Sequence, residues 1–240
     1  MTGPGEGGQE DRPGPPDRVR LGSLYAGGVT LIGPAQHRTG IVKAARDRVE
    51  VGVEGIVGDV QADRRFHGGP DKAVHHFPAD HYPELARRFP AAALQLVPGS
   101  LGENLSTLGW TETDLAIGDV YGAGTVVLQV TQPRSPCWKI NERLGEPDAS
   151  RWIADQGITG WYCRVLAPGE LRVGDELRRI QRPAAPVPLR DFWRTVQAHR
   201  PRPIDLERMV SIPGLAVDWC RRLQERLKWL AKGGEGSSQS

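Results

Sequence analysis

The chain is poor in cysteine. It has only three, Cys137, Cys163 and Cys220, far apart and with no CxxC pair. That excludes a disulfide framework and a cysteine-built structural zinc site, and makes a reducing cytoplasm the expected compartment. No apolar run approaches the ~18 residues of a membrane span, so no membrane partner is expected. The opening stretch, MTGPGEGGQEDRPGPPDR, has no apolar h-region and lacks the Arg-rich, acid-poor character of a transit peptide. An excess of one charge is missing too. The 31 basic and 29 acidic residues leave a net charge of +2, too little to hold nucleic acid through bulk charge. No serine sits in a GxSxG elbow, no GxxxxGK[ST] occurs, and no GxGxxG links a strand to a helix, so the common hydrolase, P-loop and NAD folds are poor fits.

What is present is 240 residues, 26.3 kDa, with 30 Gly and 20 Pro. The length suits one or two domains, and the Gly and Pro content favours short elements joined by many turns over long coiled helices. Val19–Leu24 and Glu50–Ile56 alternate as half-buried strands do, Thr125–Thr131 suits a strand buried on both faces, and Trp161–Leu166 is a further strand. A turn at Pro168–Glu170 should lead into another strand from Leu171. Gly-Asp pairs at 58–59, 118–119 and 174–175 read as turns. Helices are expected at Asp80–Phe89 and Asp148–Gln156. A barrel or sandwich fits these signals better than alternating βαβ units.

Composition changes at 182–188, where three prolines in six residues form a stiff linker. Beyond it, apolar stripes mark helices at Leu189–His199, Ile204–Ile212 and Leu215–Ala231. The resulting division is an extension over 1–20, a β-rich domain over 21–181, the linker, a three-helix module over 189–232 and a tail over 233–240. The Gly-, Pro- and charge-rich ends have too little apolar surface to offset ordering entropy and are expected to be disordered. Residues 181–232 carry 11 basic and 5 acidic side chains, which reads as a solvated helix surface with arginine caps.

Three loops carry candidate chemistry. In the run from Asp63 to His76, Gly68 and Gly69 let backbone N–H groups approach a ligand, while His67 and Lys72 add donors. His75, His76 and His81 could offer zinc ligands. Pro78 keeps them off one helix face, however, and they read as strand and helix-surface histidines. The loop Pro98–Leu105 holds Asn104, whose amide both donates and accepts. The segment Gln132–Ile140 follows the most buried strand. Pro133 and Pro136 hold it rigid and bar a helix, and Arg134 and Lys139 flank Cys137. Nearby cations favour the thiolate, a nucleophile and soft-metal ligand, over a free thiol of pKa ~8.5. Cys163 and Cys220 sit on apolar faces and read as inert core residues.

The ordered set Thr39–Lys43, Gly58–Asp63, His67–Val74, Gly102–Leu105, Pro133–Lys139 and Gly160–Val165 resembles MOSC-domain proteins of the YiiM type, in the molybdenum cofactor sulfurase C-terminal domain superfamily. The likeness spans residues 21–180, and the helical tail resembles the three-helix module that follows in that subgroup. The resemblance implies a mainly β fold with α, a MOSC β-barrel followed by a small three-helix module. It implies molybdenum cofactor (molybdopterin) as the bound group, with Cys137 as the thiolate ligand to molybdenum. Thr39, Gly40, His67, Gly68, Gly69, Lys72, Asn104 and Arg134 would line the pterin-phosphate and metal pocket. At superfamily level it also carries an association with pyridoxal phosphate.

The reaction so implied is two-electron reduction of an N–OH bond to an amine and water, on small N-hydroxylated compounds such as 6-hydroxylaminopurine, in a detoxifying role. His67 would be the proton donor. Electrons would come from a separate reductase, and a homodimer is the expected assembly. Two other classes stand beside this one. In the first, the chain is a sulfur or molybdenum-cofactor carrier using Cys137 without turnover. In the second, it is a nucleic-acid module using the basic helices, which the modest charge disfavours.

Overall fold

The structure is a computed structural model and describes residues 16–60 and 68–235. The strands in chain order are β1 (Arg18–Ala26), β2 (Thr30–Ile32), β3 (His37–Thr39), β4 (Ala44–Arg46), β5 (Arg48–Gly52), β6 (Gly55–Ile56) and β7 (Val74–Pro78). They continue as β8 (Leu105–Thr107), β9 (Val120–Ala123), β10 (Val126–Pro133), β11 (Trp161–Ala167), β12 (Gly169–Arg172) and β13 (Glu176–Gln181). The helices are α1 (Tyr82–Arg88), α2 (Lys139–Leu144), α3 (Ala149–Gln156), α4 (Leu189–Gln197), α5 (Pro203–Val210) and α6 (Val217–Glu235).

Seven strands close on themselves in the order β13-β9-β10-β11-β7-β8-β1 and back to β13, with β4 appended to β1. The fold is a β-barrel with helices, several of them in the C-terminal region. Closure leaves no free edge along the ring. Among the described residues only β7 and β8 run parallel. The alternation of β1 explains its placement: Val19, Leu21 and Leu24 point inward, and the residues between them are exposed or half-buried. The core they join also takes in Leu128, Val130 and Trp161.

That core does not stop at the barrel wall. It continues into Leu189, Phe192, Leu206, Met209 and Leu223 of the C-terminal helices. Residues 182–188 are correspondingly pinned. Pro188 bridges Ala116, Ile117 N–H donates to the Val187 carbonyl, and Leu189 N–H donates to that of Leu115. The stretch bends at Ala184–Ala185 rather than running straight, and its backbone pairing at Val187 and Pro188 fastens the helices to the barrel. A second apolar cluster joins Phe77, Leu85, Leu101, Ile140 and Ile153, seating α1, α2 and α3 beside the barrel.

Several expectations need correction. Glu50–Ile56 is not one strand but the hairpin β5–β6, since Gly55 turns the chain at φ 121°. The strand expected from Leu171 begins at Gly169. The N-terminal extension, expected to run to residue 20, ends by residue 16. Pro16 accepts the Trp110 indole N–H at 2.7 Å, Asp17 pairs with Arg179 at 2.5 Å, and β1 starts at Arg18. At the other end α6 runs to Glu235, past the expected start of the tail. Pro133 and Pro136 do not keep the cysteine segment free of helix, because α2 starts only three residues beyond Pro136. Proline disfavours helix at the residue before it and in a helix interior, but a helix can start at it or just after it. Among the described residues no helix is long and apolar enough to cross a membrane.

Candidate functional site

The ends of β7, β8, β10 and β11 meet the loops after β1, β3 and β6, and a narrow inner cavity of about 80 Å³ opens there. Thr39, Gly40, Lys72, Asn104, Arg134 and Cys137, all expected site residues, line it together. Residues nearly 100 positions apart are thus gathered by strand pairing. His67 lies outside the described residues. Gly68 and Gly69 do not line the cavity: Gly69 precedes a 3-10 turn over Pro70–Lys72 that places Lys72 there instead.

The floor is an electrostatic lattice that the sequence reading did not assign. Lys43 donates to Asp59 Oδ2 at 2.6 Å, and both side chains are more than nine-tenths buried. Asn104 Nδ2 donates to the same oxygen at 3.0 Å and to the Tyr25 carbonyl at 3.2 Å, while its Oδ1 accepts the His75 N–H at 3.0 Å. Asp59 Oδ1 accepts the Gly27 N–H at 2.9 Å. Asn104 therefore has both amide hydrogens and its oxygen engaged by protein. It positions Asp59 and ties β8 to β7 and β1, rather than offering a free amide to a ligand. Burial pulls the Lys43 ammonium below its ordinary value, with Asp59 pulling the other way.

His75 and Arg134 are the complement to this closed network. His75 Nε2 and Arg134 Nη1 are both buried with no hydrogen-bond partner. Such atoms are expensive to leave unmatched, and here they face a cavity where water or a polar ligand can pair with them. Burial first, then Arg134 and Lys43, push His75 well below its usual 6.5, so it is neutral near pH 7. Burial raises the Tyr162 phenol, and the adjacent Arg134 opposes that rise. Thr39 Oγ1 accepts the Ile41 N–H at 3.1 Å, fixing the wall opposite. Gly102 sits at φ 82°, where a Cβ would come within 3.1 Å of the Ile41 backbone, so only glycine lets the two loops meet here.

The three zinc-capable histidines are core residues, not surface ones. His76 shares hydrogen bonds with Tyr121 (3.0 Å) and Thr107 (2.9 Å), and burial lowers its pKa to about 3. His81 pairs with Glu112 at 2.7 Å. Cys163 is buried beside the Tyr121 hydroxyl, its thiol pushed up to about 12 by burial, and Cys220 is half-buried.

Cys137 is different. It is partly exposed and lines both the inner cavity and a larger outer one of about 500 Å³. Lys72, Lys139 and Tyr162 border both spaces with it. Lys139 is anchored by donating to the Arg38 carbonyl at 2.8 Å. Asp71, which the sequence reading left without a role, holds the arrangement from outside. It pairs with Arg164 at 2.7 Å and accepts the Val217 N–H at 2.9 Å, latching the start of α6 to the site. Its neighbour Lys72 pairs with Asp218 of α6 at 3.7 Å.

This donor set fits molybdenum cofactor. One partly exposed sulfur suits a soft metal, and unpartnered cationic and imidazole nitrogens beside it suit an anionic, heteroatom-rich ligand.

Comparison with known proteins agrees with the motifs. The model of the MOSC domain matches residues 63–178. Protein YiiM of Escherichia coli (strain K12) is 38% identical over 173 residues, covering 72% of this chain and 76% of that protein. A protein named reductase from Gibberella moniliformis is 38% identical over 130 residues, and the match takes up 54% of this chain and 23% of that longer one. The crystal structure of Escherichia coli YiiM superposes with a TM-score of 0.70 at 31% identity, covering 85% of this chain and 92% of the other.

Proposed function

The chain belongs to the MOSC-domain family, among YiiM-like proteins, and from that premise we propose that it is a molybdenum-cofactor-dependent reductase of N-hydroxylated compounds such as 6-hydroxylaminopurine. The MOSC domain is associated in general with molybdenum cofactor binding. The observation that carries the reading is Cys137, partly exposed at the junction of two cavities, with unpartnered buried nitrogens of His75 and Arg134 on its inner side.

The bound cofactor supplies the two-electron change by which an N–OH group and two protons become N–H and water. Cys137 holds the metal through its sulfur. Arg134 and Lys72, with Lys139, provide positive charge toward the cofactor's anionic groups. The Lys43–Asp59–Asn104 network keeps the cavity floor rigid, so these donors need no reorganisation on binding. His75, neutral near pH 7, can donate or accept through Nε2 according to its tautomer. The Tyr162 phenol, kept protonated by burial, is a second proton-bearing group beside Cys137. A separate reductase delivers the electrons, and the reaction detoxifies N-hydroxylated bases in the cytoplasm.

The deciding experiment compares wild type and Cys137→Ala for molybdenum content, pterin content and hydroxylamine reduction. The variant should lose metal and turnover while keeping its thermal transition. Retained molybdenum and full reduction would remove Cys137 as ligand. Sulfur released by cyanide from the wild type, without any turnover, would make the protein a carrier.

A further inference from the structure

The outer cavity is built partly by the C-terminal helix. It is lined by Trp138 from the barrel and by Asp218, Trp219 and Arg222 of α6, together with Gln132 and with Cys137, which it shares with the inner cavity. At about 500 Å³ it falls in the range of small-molecule sites. Gln132 is almost wholly buried, yet its Oε1 has no hydrogen-bond partner. Rotation about the last side-chain bond is soft, so the amide can present either its oxygen or its nitrogen to the cavity. Trp138 is 48% exposed, an uncommon state for a large aromatic that packs on His37 at its edge. Trp219 is held from behind by Phe192, 5.3 Å away between ring centres, with the Arg222 guanidinium over its ring at 5.5 Å.

Two indoles, a guanidinium and a buried amide without a partner select a planar, polar ring over a flexible or purely apolar molecule. We propose that α6 completes a substrate site in the outer cavity, which takes a planar nitrogen heterocycle against Trp138 and Trp219, with the ring's donor groups bonded to Gln132. This deepens the reductase reading: the ring's exocyclic nitrogen is directed toward Cys137. It also gives the helical module a task beyond packing. The Asp71–Val217 and Lys72–Asp218 contacts latch the specificity wall to the loop that carries Lys72.

Adenine, the amine product of a 6-hydroxylaminopurine reduction, is the probe. Its affinity for full-length protein carrying its cofactor is measured by calorimetry for wild type, Trp138→Leu, Arg222→Ala and Gln132→Met. Pterin content and melting temperature are recorded for each. Trp138 and Arg222 are exposed, so their variants stay folded even if the buried Gln132 variant does not. The expected result is a tenfold or greater rise in Kd for Trp138→Leu and Gln132→Met, and a several-fold rise for Arg222→Ala, with pterin content unchanged. Wild-type affinity in both exposed-site variants overturns the inference, as does an absence of adenine binding by wild type. So does a parallel fall in pterin content, which would make the outer cavity part of the cofactor site. Failure of the reductase reading looks different: adenine binding would still depend on Trp138, but no variant, and not the wild type, would reduce the hydroxylamine.

Discussion

The two sides of Cys137 are built on opposite principles. On the inner side, charged groups are buried and bound to one another: Lys43 to Asp59, Asp59 to Asn104, and Asn104 to β1 and β7 of the barrel. On the outer side, Trp138 and Arg222 are largely exposed. Buried ions are expensive to take out of water, and Lys43 and Asp59 are tolerated because they partner each other and Asn104, so this floor of the inner side has one arrangement. The exposed part of the outer side, Trp138 and Arg222, carries little of the fold's stability. It can vary with the ligand while the inner side stays fixed.

That contrast is open to direct attack. The largest expected effect is from Lys43→Met, which leaves Asp59 buried without its counter-ion. It should lower unfolding free energy by about 4 kcal/mol in urea titration. A loss below about 1 kcal/mol would mean that water reaches the pair and that the inner side is not the rigid half. Asn104→Ala removes the bonds that hold Asp59 Oδ2 and the His75 N–H, and should cost about 2 kcal/mol by the same measurement.

Proton linkage gives a third test. His75 and His76 sit together on β7, and burial lowers the pKa of both. Below an unfolded value of about 6.5 the unfolded chain binds protons that the folded chain refuses, so stability falls with pH. Between pH 6.5 and 5.5 each histidine should remove about 1 kcal/mol. The loss continues toward the folded pKa, about 3 for His76. His76→Gln should flatten that slope, whereas Arg222→Ala should leave it untouched. The smallest effect is expected on the outer side. Trp138→Leu and Arg222→Ala should each change unfolding free energy by less than about 0.5 kcal/mol, and a loss of several kcal/mol from either would erase the distinction between the two sides.

Much of the fold was legible where local rules act alone. Alternation marked β1, β-branched content marked β10, and apolar stripes marked α4, α5 and α6 to within a few residues. The short α2 was hidden because prolines at 133 and 136 dominate its surroundings, while helix formation depends on the residues after them. The site was legible in part. Cys137, Arg134, Lys72, Thr39 and Gly40 converge as the motif order implied. Lys43 and Asp59 were missed because Gly58-Asp59 carries an ordinary turn signal. Nothing in that dipeptide tells that its carboxylate folds inward onto a lysine 16 positions earlier. Asn104 was noticed, but its partners are main-chain and side-chain groups from three distant segments.

The sequence alone determined most of the element types, the presence of the helical tail and the identity of the one cysteine set among cations on a proline-braced segment. These depend on periodicity and on neighbours along the chain, whose effects travel only a few residues. The tertiary structure decided which polar groups are used up by the protein and which are left for a ligand. It closed Asn104 and Asp59 into a network, and left His75, Arg134 and Gln132 with atoms unmatched. It also brought α6 to the mouth of the site. Hydrogen bonding and burial are set by what lies across the fold, and ring closure of the seven strands fixes that only once the whole chain is in place.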